Sequence, residues 1–351
     1  MGSARMNGNL PTRAAISART AWFDGAGRVT RAPLLLAGVW ALTIFVSLPL
    51  TIVLRGMIAR HLGDSLEAAT AASGVNPTWM AEFMNQSSGV GTTFDPAIIG
   101  FAAVLGNVSD FLDNVHSPTV IVAAASAYMA GWLFLAGGIL DRYARDRPTR
   151  ASGFFAASGV YFWRFLRLGA IQWVVYALLF RSVHPLLFDR VFSRLTHETS
   201  VERTAFLIRV ALYVVFVLLI AAANLVFDYA KVRAVVEDRR SMLASIVASV
   251  RFVGRTGAAR RLYVINVAVF VLCLVLYAWM APGAQGGSLR TWIAFAIGQV
   301  YVLLRLWIKL VFWASETALF QGRLAHAGYV AAPQPTWPDS PAAEAIMPLA
   351  Q

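Results

Sequence analysis

Apolar residues along the chain gather into six blocks. The roughly 30 Å hydrocarbon layer of a bilayer takes about 20 mostly apolar residues in helical form. The pattern predicts spans at residues 32–54, 118–140, 166–180 or beyond, 205–227, 262–280 and 291–311. Arg181 and His184 interrupt the third block before Pro185, Leu186, Leu187 and Phe188. That span is either short or continues outward with the two polar residues facing protein or headgroups.

A second periodicity lies between the blocks. Met242, Leu243, Ile246, Val247, Val250 and Val253 recur on one helical face, with Ser241, Ser245, Arg251 and Arg255 away from it. Phe154, Phe155, Tyr161, Phe162 and Phe165 form a similar face with Arg164 and Arg167 towards the other side, and a weaker version around Ile16, Trp22 and Phe23 precedes the first span. Such helices lie in the headgroup plane, with arginines near lipid phosphates. The start of this stretch repeats from Phe154 to Met242, 88 residues on. The acids that close the even spans, Asp141, Asp228 and Glu316, are 87 and 88 residues apart. The fold class predicted is therefore an all-α integral membrane protein, six transmembrane helices in three pseudo-repeats of interfacial amphipathic helix plus helical hairpin.

These elements divide the chain into an N-terminal segment 1–31, a first hairpin of 32–54 and 118–140, an insert 55–117, a second unit 141–227, a third unit 228–322 and a proline-rich tail 323–351, expected to be disordered. The insert reads as two or three short helices over the outer ends of the spans. Asn76-Pro77 and Asp95-Pro96 each place a capping residue before a proline at the first helical position. Ile98, Ile99, Phe101, Ala102, Leu105, Val108, Phe111 and Leu112 follow with helical spacing.

Composition agrees with the pattern. The chain has 351 residues, 58% of them hydrophobic and only 14% charged, with a mean hydropathy of +0.62. That excludes an ordinary soluble pair of domains. The net charge of +12 raises the question of where the cations sit. Twenty Lys and Arg fall in the N-terminal segment, the second and fourth connections and the tail, against seven on the other side. By the positive-inside rule both termini are cytoplasmic. The first 30 residues are polar and the first apolar block is long enough to span, so no cleavable leader is expected. The charge is thus a membrane-topology signal, helped by anionic lipid headgroups, and no nucleic-acid partner is implied, because no basic and aromatic recognition motif accompanies it. The insert carries the opposite sign, net −4, an acidic outer cap over a basic inner surface.

Candidate chemistry is sparse. Cys273 is the one cysteine, which excludes a disulfide framework, a CxxC pair and a cysteine-built zinc site. His61, His116, His184, His197 and His326 show no metal-ligand spacing; His61 and His116 bracket the insert and could meet there, or be ordinary surface histidines. No Walker loop, GxSxG elbow or dinucleotide glycine pattern occurs. No catalytic residue, cofactor or metal is assigned.

Ionisable residues inside spans cost several kcal/mol unless paired or hydrated, so they are the candidates. On the sixth helix Arg305, Lys309 and Glu316 fall within about 40° of one another at 100° per residue. They line a polar path or bind an anionic headgroup, or else the two cations snorkel to the inner interface with Glu316 in water. Asn224 and Asp228 share a face of the fourth span. With Asp141 and Glu316 at matching positions, the three carboxylates are candidates to gather near a threefold centre, as clamps to cationic partners on the interfacial helices or Lys309, or as a proton or cation site. Gln172, Arg209, Asn266 and Gln299 read as interhelical hydrogen-bond partners or interface anchors, and Ala123, Ala127 and Gly131 as a close helix contact.

Six spans with an amphipathic helix before each odd one, and Asp141-Arg142-Tyr143-Ala144-Arg145 and Asp228-Tyr229-Ala230-Lys231 at span exits, resemble the bacterial membrane domain attached to glycerophosphodiester phosphodiesterases and found in related stand-alone proteins. The resemblance covers most of residues 12–328. The family's hydrolase domain has no counterpart, the insert is a departure, and neither catalytic residues nor a metal carries over. The expected function is that of a non-enzymatic scaffold or accessory protein interacting with lipid or with membrane-protein partners; the alternative is a transporter or channel with a polar path along the sixth helix.

Overall fold

The computed structural model describes residues 16–63, 65–73, 76–94, 101–115, 118–280 and 289–328. It is an all-α membrane protein. Six helical rods are long and apolar enough to cross a bilayer: Pro33–Leu62, Thr119–Arg145, Ala151–Thr196, Glu202–Val236, Gly257–Met280 and Trp292–Leu324. Each exceeds its apolar block because nothing at the block's ends stops a helix. The polar flanks, rich in Arg and Ala, are good helix formers, so α2 (Pro33–Leu62) reaches 30 residues and α9 (Glu202–Val236) 35.

The third rod departs most from the sequence pattern. The stretch around Phe154 is not a separate element but the first turns of α7 (Ala151–Leu178), which runs unbroken into the span. Beyond it, Arg181 and His184 remain helical, through π-helical turns at Leu179–Val183 and Leu186–Val191 and the short α8 (Phe192–Thr196). The wider π turn accommodates Pro185, whose ring cannot close the ordinary i to i−4 bond. The tail also begins later than expected, since α12 (Leu289–Gly328) continues through Arg323 to Gly328.

α6 (Thr119–Arg145), α9 and α12 touch one another at the centre, with α2 against α12 and α6, α7 against α6 and α9, and α11 (Gly257–Met280) against α12. Short helices brace one end of this bundle, called here the ledge end. α1 (Ala18–Thr30) lies on α12, the first turns of α7 on α6, and α10 (Met242–Arg255) on α9. Among the described residues the first helix thereby meets the last.

Nearly all close packing is at the ledge end. In lipid no hydrophobic driving force joins helices, so small residues that let backbones approach carry association. The face that α1 turns to α12 is Ala18, Ala21, Gly25 and Val29. A Cβ at Gly25 would lie 2.4 Å from the Ser315 nitrogen, and one at Gly138 2.6 Å from Ser158 Oγ. α10 splits the apolar face expected from its sequence: Met242 is buried beside Ser245 and Ser249, with Ile246 and Val253 packed against the core, while Leu243, Val247 and Val250 point outward. The opposite half of the bundle is looser, with α2 and the first half of α9 exposing most of their Leu, Val, Ile and Phe side chains. Gly131 seats against Leu42 of α2, a Cβ there falling 2.9 Å from that side chain.

The insert between α2 and α6 carries α3 (Glu67–Ser73), α4 (Pro77–Gln86), a 3-10 turn at Gly89–Thr93 and α5 (Phe101–Leu112). Asn76 caps α4, its Oδ1 accepting from the backbone N–H of Thr78 and Trp79. Trp79, Met80 and Phe83 form a small core against Leu54, Met57, Ile58 and Leu62 of α2. His61 is drawn into it, its Nδ1 accepting from Trp79 Nε1 at 3.0 Å. Asp95-Pro96, Ile98, Ile99, His116 and residues 329–351 of the expected disordered tail lie outside the described residues.

Candidate functional site

The polar face of α12 is the starting point. Val300 and Leu304 are 63% and 38% exposed on its outer flank. Arg305, Lys309 and Glu316 lie roughly 140° around the helix from them at 100° per residue. Arg305 and Lys309 are nevertheless exposed, and Lys309 is surrounded by protein. Its Nζ sits 3.8 Å from the ring centroid of Trp132 on α6, which is itself only 6% exposed. Trp132 of α6 on one side and Asp228 and Lys231 of α9 on another border an open crevice at Lys309. Glu316, 0% exposed, closes the crevice towards the ledge end. Neither of its carboxylate oxygens has a hydrogen-bond partner among the described residues.

α9 supplies the facing wall. Asp228 Oδ1 accepts from Lys231 Nζ at 2.9 Å and from Trp313 Nε1 at 3.3 Å. Lys231 also lies over the Trp313 ring, 5.6 Å from its centroid. One turn away the Asn224 side-chain oxygen accepts from the Tyr176 hydroxyl of α7, which in turn accepts from Gln172 Nε2 at 3.4 Å. Trp132 and Trp313 meet edge to face at 5.5 Å, so two cation and indole pairs share one aromatic contact. Asp228 and Lys231 are electrostatic neighbours of both Lys309 and Glu316.

Asp141 stands apart. It pairs with Arg145 of its own helix at 2.9 Å, with Arg147 nearby. The three carboxylates therefore do not form one cluster: Asp228 and Glu316 are neighbours, and Asp141 belongs to the α6 terminus. The reason is local, because Arg145 follows Asp141 at i+4 and Lys231 follows Asp228 at i+3, within reach on a helix surface. The cations that tie helices together are others. Arg28 of α1 donates to the Tyr143 carbonyl at 2.7 Å, to Gln321 Oε1 at 2.9 Å and to Asp24 at 2.9 Å. Gln321 donates to the Ala144 carbonyl at 2.7 Å. Together they satisfy two of the last carbonyls of α6, which have no partner within the helix. Arg164, expected beside lipid phosphate, is instead paired with Asp238 after α9.

The single polar residues mostly join helices. Gln299 accepts from Trp40 Nε1 at 3.2 Å, and Asn266 donates to Ser315 at 3.1 Å. Arg209 lies 3.9 Å from Asp113. A hydrogen bond from Tyr213 holds the Asp113 carboxyl below the usual range against its partial burial, with Ser109 and Arg209 adding to the effect. Burial pushes Glu237 up, but Arg233 and Arg239 outweigh it and hold the carboxyl below its ordinary value. No group of three His, Cys, Asp or Glu positioned to hold a metal occurs among the described residues.

Trp132 and Trp313 were not singled out by the sequence pattern, and Lys231 only as the end of the Asp228-Tyr229-Ala230-Lys231 span exit. One signal was present: of the 30 basic residues only Lys231 and Lys309 are lysines, and the fold brings both to this crevice. Arginine, a rigid planar fork, fills the surface and the helix joints, while the compact three-donor ammonium sits inside. No protein-family model, no curated protein and no solved structure matches the chain.

Proposed function

We propose that this protein is a non-enzymatic organiser of anionic lipid at the inner face of a bacterial cytoplasmic membrane, with the ledge end and both termini in the cytoplasm. The observation that carries this reading is the face that α10 turns away from the protein. Leu243, Val247 and Val250 are exposed there, beside the exposed Arg251 and Arg255. Ser245 and Ser249 are turned inward. A helix that leaves three large apolar side chains uncovered beside two arginines turns that face to hydrocarbon, and its arginines then lie at headgroup height. The first turns of α7 repeat the arrangement with Phe155, Trp163 and Arg167 exposed. In this reading the unit of one short helix and two spans is used three times, and partner membrane proteins dock on the acidic insert or the lipid-coated flanks.

The test is lipid selection. In vesicles of phosphatidylcholine and phosphatidylglycerol the protein enriches phosphatidylglycerol around itself. Each juxtamembrane Arg contributes about 1 kcal/mol, so R167Q, R251Q and R255Q together abolish most of the enrichment, and high salt does the same. Equal affinity of the unmodified protein for both lipids overturns the proposal. The crevice at Lys309 favours transport as a second reading. A flux of anions into proteoliposomes that R305L and K309L remove at normal abundance would establish it, and unchanged phenotype of that variant would dismiss it.

A further inference from the structure

The geometry points to a single anion site inside the bundle, where Arg305 and Lys309 hold the phosphate of one phospholipid headgroup over Trp132 while its acyl chains occupy the loose half of the bundle. The inference rests on the preceding reading for the source of the ligand, the bilayer, but on different side chains.

Arg305 and Lys309 are one helical turn apart, and side chains at that spacing stand about 5–6 Å from each other, the right separation to bracket one phosphate group. Guanidinium and ammonium together present about eight N–H donors. None of them meets a protein acceptor among the described residues: Asp228 is taken by Lys231 and Trp313, and Lys309 has only the Trp132 ring face. A cation packed against protein without an acceptor, as Lys309 is over Trp132, is costly, and an oxyanion removes that cost. Phosphate also matches the donor set, since charge-assisted bonds to it are about twice as strong as neutral ones.

Depth identifies the phosphate as a lipid's. Lys309 follows Trp292, an exposed aromatic at the start of α12, by 17 residues, which at 1.5 Å per residue is about 26 Å. Indoles prefer the headgroup level, so with Trp292 at one membrane face Lys309 stands near the other, at the height of the opposite leaflet's phosphates. From there towards its beginning α12 exposes Leu304, Val300, Phe295 and Ile293. Such a flank suits acyl chains and not a free hydrated anion.

The experiment is native mass spectrometry of the full chain released from mild detergent, with thermal unfolding in parallel. The unmodified protein retains one phospholipid through washing at high salt, which strips the lipid gathered by Arg251 and Arg255. R305Q with K309Q loses that retained lipid at least tenfold, about 1.4 kcal/mol, while K309R keeps it and R251Q with R255Q leaves it unchanged. Retention unaffected by R305Q and K309Q overturns the site. So does inorganic phosphate raising the unfolding temperature as much as phosphatidylglycerol, since the ligand is then a free anion. Should R305Q and K309Q impair folding, the arms with K309R and inorganic phosphate still decide. Absence of anionic enrichment around the unmodified protein, with the high-salt lipid retained, would defeat only the surface reading.

Discussion

Gly25 and Gly27 lie two residues apart on α1 and should respond to the same substitution with opposite signs. A Cβ at Gly25 falls 2.4 Å from the Ser315 nitrogen, 2.5 Å from its Cα and 2.6 Å from its Cβ. Two of these three atoms are backbone of a central helix, so no rotamer change relieves the clash. α1 must retreat by about 1 Å to restore ordinary contact. That retreat strains the whole Ala18, Ala21, Gly25 and Val29 face and the bonds from Arg28 to Tyr143 and Gln321. Overpacking costs about 1–3 kcal/mol, and weakening one charge-assisted bond about 1.5 kcal/mol more. The better helix propensity of alanine returns about 1 kcal/mol. Gly25→Ala should therefore destabilise the protein by about 2 kcal/mol. At Gly27 the nearest atom is the Arg31 guanidinium at 3.9 Å, so Gly27→Ala gains the propensity alone and stabilises by somewhat less than 1 kcal/mol. Thermal unfolding in detergent measures both, and trypsin cleavage at Arg19 and Arg31 reports whether α1 has lifted. Equal shifts for the two variants, or a neutral Gly25→Ala, would refute the close crossing of α1 on α12.

Further expectations concern the joints. Arg28→Ala removes donors to two helices and should cost about 2 kcal/mol in thermal unfolding; Arg28→Lys should not restore it, because one ammonium cannot reproduce the planar fork. Asn76→Ala should lower stability by about 1 kcal/mol, confined to the insert, so hydrogen exchange should rise in α4 and stay unchanged in α6, α9 and α12. Glu237 has its carboxyl held below the ordinary value in the folded protein. Its contribution is complete above the unfolded-state value of about 4.3 and fades as the pH falls through the folded one. Acidification below about pH 4.3 should therefore loosen the joint between α9 and α10, a step that Glu237→Gln removes; an identical acid transition in that variant would contradict the assignment.

The six spans were legible in the sequence because lipid leaves the backbone no alternative to self-satisfied helix wherever some 20 apolar residues follow one another. The start of α4 was legible for a local reason too, an Asn side chain capping the N–H groups next to a proline. The candidate cluster was half legible. The spacing of Arg305, Lys309 and Glu316 on one face follows from helical period alone, and so does that of Asn224 and Asp228. Their surroundings do not. Which of them meets Trp132, which finds a lysine on its own helix and which is left without a partner depends on side chains from helices distant in sequence. Asp141 shows the limit: it matches Asp228 by position, yet its neighbours are Arg145 and Arg147, so equivalence along the chain did not become proximity.

By itself, then, the sequence determined a membrane-spanning helical protein, the number of its spans and the residues able to carry charge inside it, because hydrophobic length and helical period act over a few turns of one segment. The tertiary structure alone decided that α1 closes onto α12, that α10 splits its apolar face with Met242 inward and Leu243, Val247 and Val250 outward, and that the two lysines share one crevice. The first of these turns on how closely the α1 backbone can approach that of α12 at Gly25, and the others on which side chains two helices bring together, properties of pairs of helices that no single segment encodes.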